Sequence, residues 1–101
     1  MFKSDLASLA KVLLDKSAPL ADRDDAAMDL GAYNDDVALE VLIKVARDPT
    51  EDEMILSSCG TSIADIWYAR GEGNREVLDS LTKEARNEVY IDPETFQKPQ
   101  R

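Results

Sequence analysis

Histidine is absent from the 101 residues, and cysteine occurs once, as Cys59. Without a second cysteine the chain cannot form an internal disulfide, and without histidine it cannot build a Cys/His zinc site. A serine, cysteine or threonine nucleophile would also lack its usual histidine base. The chemistry left to this sequence is therefore that of carboxylate, lysine or tyrosine side chains.

Positive charge is scarce, with 12 lysines and arginines against 21 aspartates and glutamates, a formal net charge of −9. A field of this sign repels phosphate backbones, so the sequence predicts no nucleic-acid partner. The same field attracts basic proteins and speeds their encounter with the chain. The alternative is that the acidity serves only solubility.

Long apolar runs are also missing, since stretches such as Val41–Ile43 are far shorter than the roughly 20 residues of a membrane-spanning helix. Asp5 and Lys11 interrupt what would be the apolar part of a signal peptide. We therefore expect a cytoplasmic protein with no membrane partner. The length fits one domain, with a single helical domain over 1–91 and an irregular tail over 92–101.

The spacing of the apolar residues is helical through most of the chain. Ala38, Val41, Leu42 and Val45, for example, fall at i, i+3, i+4 and i+7. No segment shows convincing strand alternation beyond a short run near Tyr90. The sequence therefore predicts an all-α fold of about five antiparallel helices.

Capping residues and breakers set the expected ends of these helices. We expect Thr50 to cap the fourth helix in a capping box with Glu53, and Gly71 to end it. The fifth helix should follow Asn74 and run without a break to Ala85. The inward-facing residues of these two helices are predicted to be Ile55, Cys59, Ile63, Ile66, Val77, Leu78, Leu81 and Ala85.

A pattern of small and aliphatic residues recurs 33 positions apart, in 26–31 and again in 59–64. It places Gly31 and Gly60 inside helices, where glycine costs about 1 kcal/mol relative to alanine. The two glycines are best explained if another helix packs closely against each of them.

These segments resemble a HEAT-like repeat. The resemblance rests on the segments 23–31 and 35–42 and on the closing Ala46-Arg47-Asp48. It covers 21–48 well and 51–89 loosely, with Cys59-Gly60 where Ala-Ala is expected. It implies stacked antiparallel helical hairpins and, because HEAT-like proteins are mainly binding scaffolds, a binding role.

A single acidic domain of this size also resembles the immunity proteins of bacterial toxin systems, including those of contact-dependent growth inhibition. Size, charge and architecture carry this likeness. It implies a protein without enzymatic activity or cofactor that neutralises a basic toxin domain, such as a nuclease, by occluding its active site. The alternative within the binding class is a generic HEAT-like scaffold or adaptor.

Aromatic residues occupy nearly equivalent positions in the two repeats and predict the binding surface. Tyr33 ends the second helix, whereas Trp67 and Tyr68 lie near the end of the fourth, so all three should gather at one edge beside the hairpin turns. Aromatic anchors among carboxylates suit a basic protein surface. Trp67 has a competing role as a core residue. The predicted partner-binding residues are Tyr33, Asp35, Asp36, Glu40, Trp67, Tyr68, Glu72, Glu76 and Asp79.

A hypothesis from another class is a small metal-dependent hydrolase that uses Asp25 and Asp29, which lie one helical turn apart. Helix capping and a solvated helix face explain these residues, together with Asp22 and Asp24, more simply. We therefore expect no metal site. Cys59 lies on an apolar stripe, which predicts a buried packing residue and not a reactive thiol.

Overall fold

Six helices follow one another in residues 5–93, the part of the chain that this computed structural model describes, and no strand occurs there. They are α1 (Leu6–Leu14), α2 (Leu20–Leu30), α3 (Asp36–Ala46), α4 (Glu53–Arg70), α5 (Arg75–Ser80) and α6 (Lys83–Asn87). The predicted all-α fold is confirmed, with one helix more than expected. Most of the predicted tail, 94–101, lies outside the described residues. None of the described helices is long and apolar enough to cross a membrane.

The caps of the middle helices are side-chain oxygens, as their sequences suggest. Asp35 accepts hydrogen bonds from backbone N–H groups of α3, and Asn74 does so for α5. The prediction that Thr50 caps α4 is wrong, because the hydroxyl of Thr50 donates to Asp48 and Asp52 is the residue that caps α4. Gly71 ends α4 at a φ of 72°, in the left-handed region that favours glycine.

The predicted continuous fifth helix is wrong, since the chain leaves the helical region at Leu81 and starts again as α6. Thr82 caps α6, and both its N–H and its hydroxyl donate to the carbonyl oxygen of Ala46, at 3.0 and 2.9 Å. The break between α5 and α6 therefore provides hydrogen-bond donors for a carbonyl group at the end of α3, which has no partner within its own helix. Leu78, Leu81 and Ala85 remain buried, so the predicted inward face is confirmed apart from the half-buried Val77.

Helix α4 is the centre of the packing and contacts α2, α3 and α6. All four predicted stripe residues of α4 are buried, including Cys59, whose side chain is fully enclosed. Burial raises the pKa of the Cys59 thiol to about 12, which keeps it protonated and unreactive near neutral pH.

Another helix packs closely against each of the two repeat glycines, as predicted. A Cβ on Gly31, the residue that follows α2, would clash with Ser62 of α4, and a Cβ on Gly60 would overlap the carbonyl oxygen of Ala85 in α6. Gly60 and Ser62 are two residues apart, which is about 200° around a helix. Helices α2 and α6 therefore flank α4 on nearly opposite sides.

Candidate functional site: two acidic surfaces

A buried ion pair joins α2 to the loop that precedes α4. The guanidinium of Arg23 donates to both carboxylate oxygens of Glu51, with Nη1–Oε1 at 2.8 Å and Nη2–Oε2 at 2.7 Å. It also donates to the carbonyl oxygen of Leu13, so the end of α1 is held by the same group. Each of the two charged side chains is only 5% exposed. The hydrogen bond from Arg23 holds the pKa of Glu51 below its usual value.

This pairing takes the one cation of α2 away from the helix surface. Asp22, Asp25 and Asp29 are exposed on α2, and within residues 5–93 their carboxylates form no hydrogen bond or ion pair. Their spacing, i, i+3 and i+7, places them along one side of the helix over roughly 10 Å. That side of α2 carries three carboxylates that no cation of the described residues pairs with.

The same three carboxylates border a groove between α1 and α2, with a volume of about 310 Å³. Its floor is apolar and comes from both helices. The six residues that line this α1–α2 groove are Leu9, Val12 and Ala26 on the floor and Asp22, Asp25 and Asp29 on the rim. Lys11, the one cation of α1, does not line it. The groove therefore combines an apolar floor with a negative rim.

The predicted aromatic anchors take three different positions. Trp67 is 3% exposed and belongs to the core, so its predicted place on the surface is wrong and its role as a core residue is confirmed. Adjacent residues of a helix point about 100° apart, and α4 turns Trp67 inward and Tyr68 outward. Tyr33 is half-buried against the core, whereas Tyr68 is 44% exposed.

The predicted edge exists, but an arginine neutralises part of it. Arg70, at the end of α4, donates to Asn34 Oδ1 at 2.6 Å and to Asp36 Oδ1 at 2.8 Å. The two hairpin turns therefore do lie side by side, and we call this region the turn edge (residues 33–36 and 70–74). Asp35 is occupied as the cap of α3, whereas Glu72 is exposed.

Cations also dilute the predicted acidic faces of α3 and α5. Glu40, Glu76 and Asp79 are exposed there, as expected. Lys44 lies one turn from Glu40 on α3, and Arg75 lies 3.8 Å from Asp79 on α5. The outer surfaces of these two helices thus carry mixed charge and not a uniformly negative field.

A contact that the sequence did not reveal covers part of α4. The hydroxyl of Tyr90 donates to Asp65 Oδ1 at 2.9 Å, and its ring centroid lies 6.4 Å from that of Tyr68. Desolvation and then the bond to Asp65 raise the pKa of Tyr90 to about 12. Tyr68 is thus an exposed residue that already packs against the C-terminal segment.

The groove was also missed in the sequence. Its three carboxylates form a clear i, i+3, i+7 set, but capping and solvation explained them equally well. In the fold these three carboxylates are distinguished by the groove that they border, because its apolar floor comes from both α1 and α2. In the described residues no three His, Cys, Asp or Glu side chains are grouped to hold a metal ion, so the geometry gives no support to the metal-dependent hydrolase.

A second cavity, of about 360 Å³, lies between the ends of α1 and α3. Its charged residues balance, with Lys16 and Lys44 opposite Asp48 and Glu51. Lys16 is already bound to Asp48 at 2.7 Å. This cavity therefore has no preference for a ligand of either charge.

No protein-family model, curated protein or solved structure matches this chain.

Proposed function

We propose that this protein binds a basic protein and neutralises it by occlusion, in the manner of an immunity protein that blocks a toxin domain. The observation that carries the proposal is the exposed side of α2, where Asp22, Asp25 and Asp29 form a negative surface on a helix of the scaffold. Uncompensated carboxylates attract a basic surface over long range and speed its arrival.

The overall charge supports the same proposal. At −9 the net charge lies just beyond the magnitude of about 2–8 that suits the solubility of a small domain. A partner with a nucleic-acid-binding active site has the complementary charge, because such a site must bind phosphates. Binding alone suffices for this function, so the proposal includes no catalytic step and no cofactor.

Co-expression with the product of the neighbouring gene tests the proposal, because an immunity gene should lie directly beside the gene of its toxin. We expect the chain to restore growth when the neighbouring protein is toxic, and to inhibit the purified toxin domain at one-to-one stoichiometry. A generic scaffold or adaptor would bind a partner without suppressing toxicity, and that result would overturn the inhibitory part of the proposal.

A stopped-flow measurement of the association rate of the two purified proteins tests whether electrostatic attraction guides their encounter. Between about 50 and 500 mM NaCl the association rate constant should fall by about tenfold or more, because salt screens the attraction between exposed charges. An association rate that is indifferent to salt would show that negative charge does not guide the encounter.

A further inference from the structure

The α1–α2 groove differs from the other charged surfaces of the described chain because it joins an apolar floor to a rim of unpaired carboxylates. Leu9 and Val12 approach it from α1, and Ala26 approaches it from α2. A purely polar ligand would leave this floor uncovered, and a purely apolar one would desolvate the rim without pairing it. The groove is thus complementary to a ligand that is apolar along one stripe and cationic along the next.

The arrangement of the three rim aspartates along one line further restricts the kind of ligand that can pair with them. Asp22, Asp25 and Asp29 run along the axis of α2 for roughly 10 Å, as two turns of a helix require. A helix that packs beside α2 has side chains at the same intervals along its own axis. Neighbouring helices pack when the side chains of one helix fit into the grooves between the side chains of the other.

We propose that the α1–α2 groove receives an amphipathic helix of the partner, with arginine or lysine spaced i, i+3 and i+7 opposite the three aspartates and aliphatic side chains on the apolar floor. This inference rests on the proposed function, since it names the part of a basic partner that is recognised. Arginine suits the rim best because its planar fork pairs with carboxylates through two hydrogen bonds.

A synthetic amphipathic peptide provides the probe. It carries arginines at i, i+3 and i+7 and leucines at i+1, i+4 and i+8, which form two adjacent stripes on a helix. We expect saturable shifts of the Leu9 and Val12 methyl signals in NMR titrations with the intact protein. Two control peptides, one with glutamate for arginine and one with serine for leucine, should each lose binding. Shifts confined to other parts of the protein, or equal binding of the serine peptide, would overturn the proposal.

A pair of matched variants distinguishes binding through the groove from attraction by the overall negative charge. The double variant Asp25→Asn, Asp29→Asn should weaken the arginine–leucine peptide about tenfold in fluorescence anisotropy. The variant Glu53→Gln, Glu88→Gln changes the net charge equally at residues that do not line the groove and should change the Kd by less than about twofold. All four residues are exposed, and unchanged circular dichroism and unfolding curves will show that both variants fold. Equal weakening by the two variants would overturn the groove as the site.

The inference and the proposed function fail in different ways. If the peptide leaves Leu9 and Val12 unperturbed while a cognate basic domain still binds with a salt-sensitive rate, the groove is overturned and the proposed function stands. If the peptide binds in the groove and the neighbouring gene product is not neutralised, the groove is a basic-helix site and the immunity-like function is overturned.

Discussion

Two arginines in this molecule hold carboxylates of distant segments at nearly the same distance, yet their surroundings differ. Arg23 lies 2.7 Å from Glu51, and both side chains are 5% exposed. Arg70 lies 2.8 Å from Asp36, with side-chain exposures of 19% and 83%. The first pair lies inside the junction of α1, α2 and the loop before α4, whereas the second bridges two turns at the surface.

The difference in burial decides both the stability and the surface charge of each region. A buried charge that loses its partner has no water to replace it, whereas an exposed one is solvated and screened. At the same time, Arg23 is withdrawn into the interior, away from the acidic side of α2, so its charge does not offset the exposed aspartates there. The arginine that stays at the surface neutralises Asp36 and weakens the field of the turn edge.

The largest expected effect comes from breaking the buried pair on one side. Glu51→Ala should lower the free energy of unfolding by about 3 kcal/mol, because it leaves the Arg23 guanidinium buried without its carboxylate. Urea unfolding at constant m-value measures this loss. Glu53→Ala is the matched control, an exposed glutamate two residues along the chain, and should cost less than about 1 kcal/mol. Equal losses in the two variants would contradict the role of burial.

The free energy of unfolding should fall by less when the charges of Arg23 and Glu51 are removed together. In the double variant Arg23→Met, Glu51→Met no charge remains buried, so the cost should fall to about 1–2 kcal/mol. The remaining cost arises because the carbonyl oxygen of Leu13 loses both donors from Arg23. A double-mutant cycle from urea unfolding gives the coupling energy, and additive losses would show that the two residues act independently.

The elements that were predictable from sequence are those set by local patterns. The stripes of α3 and α4 are encoded by residues three and four apart, so their inward faces could be identified without knowledge of their neighbours. The break at Leu81 could not, because Thr82 binds the carbonyl of Ala46, a group 36 positions away. The place of Trp67 in the core, by contrast, follows from local spacing, because Trp67 lies four residues after Ile63 on the same stripe and Tyr68 does not.

The acidic site was only partly predictable for a related reason. Composition gives the excess of carboxylates, and periodicity places Asp22, Asp25 and Asp29 on one side of α2. Which carboxylates remain uncompensated depends on where the arginines go, and both ion pairs join segments about 30 residues apart. The sequence thus predicts an acidic protein, and the fold decides which surface is acidic.

Acid should weaken the buried pair of Arg23 and Glu51. The folded-state pKa of Glu51 is depressed by Arg23, so its stabilisation is complete above the unfolded-state value of about 4.5 and is lost as pH falls through the folded-state value. The stability difference between the wild type and Glu51→Gln should therefore be constant near neutral pH and shrink below about pH 4.5. Urea unfolding at a series of pH values measures it. A difference that stays constant down to about pH 3 would contradict the linkage.

The smallest expected effect is at the turn edge, where Asp36→Asn should change the free energy of unfolding by no more than about 0.5 kcal/mol. Asp36 is 83% exposed, so water hydrates the carboxylate whether or not Arg70 approaches it, and about 0.5 M NaCl should abolish the remaining effect. Arg70 keeps its hydrogen bond to Asn34 at 2.6 Å in the variant, so the two turns remain joined. Urea unfolding at low and high salt measures both quantities. A loss as large as that of Glu51→Ala would show that distance, and not burial, determines the strength of these two ion pairs.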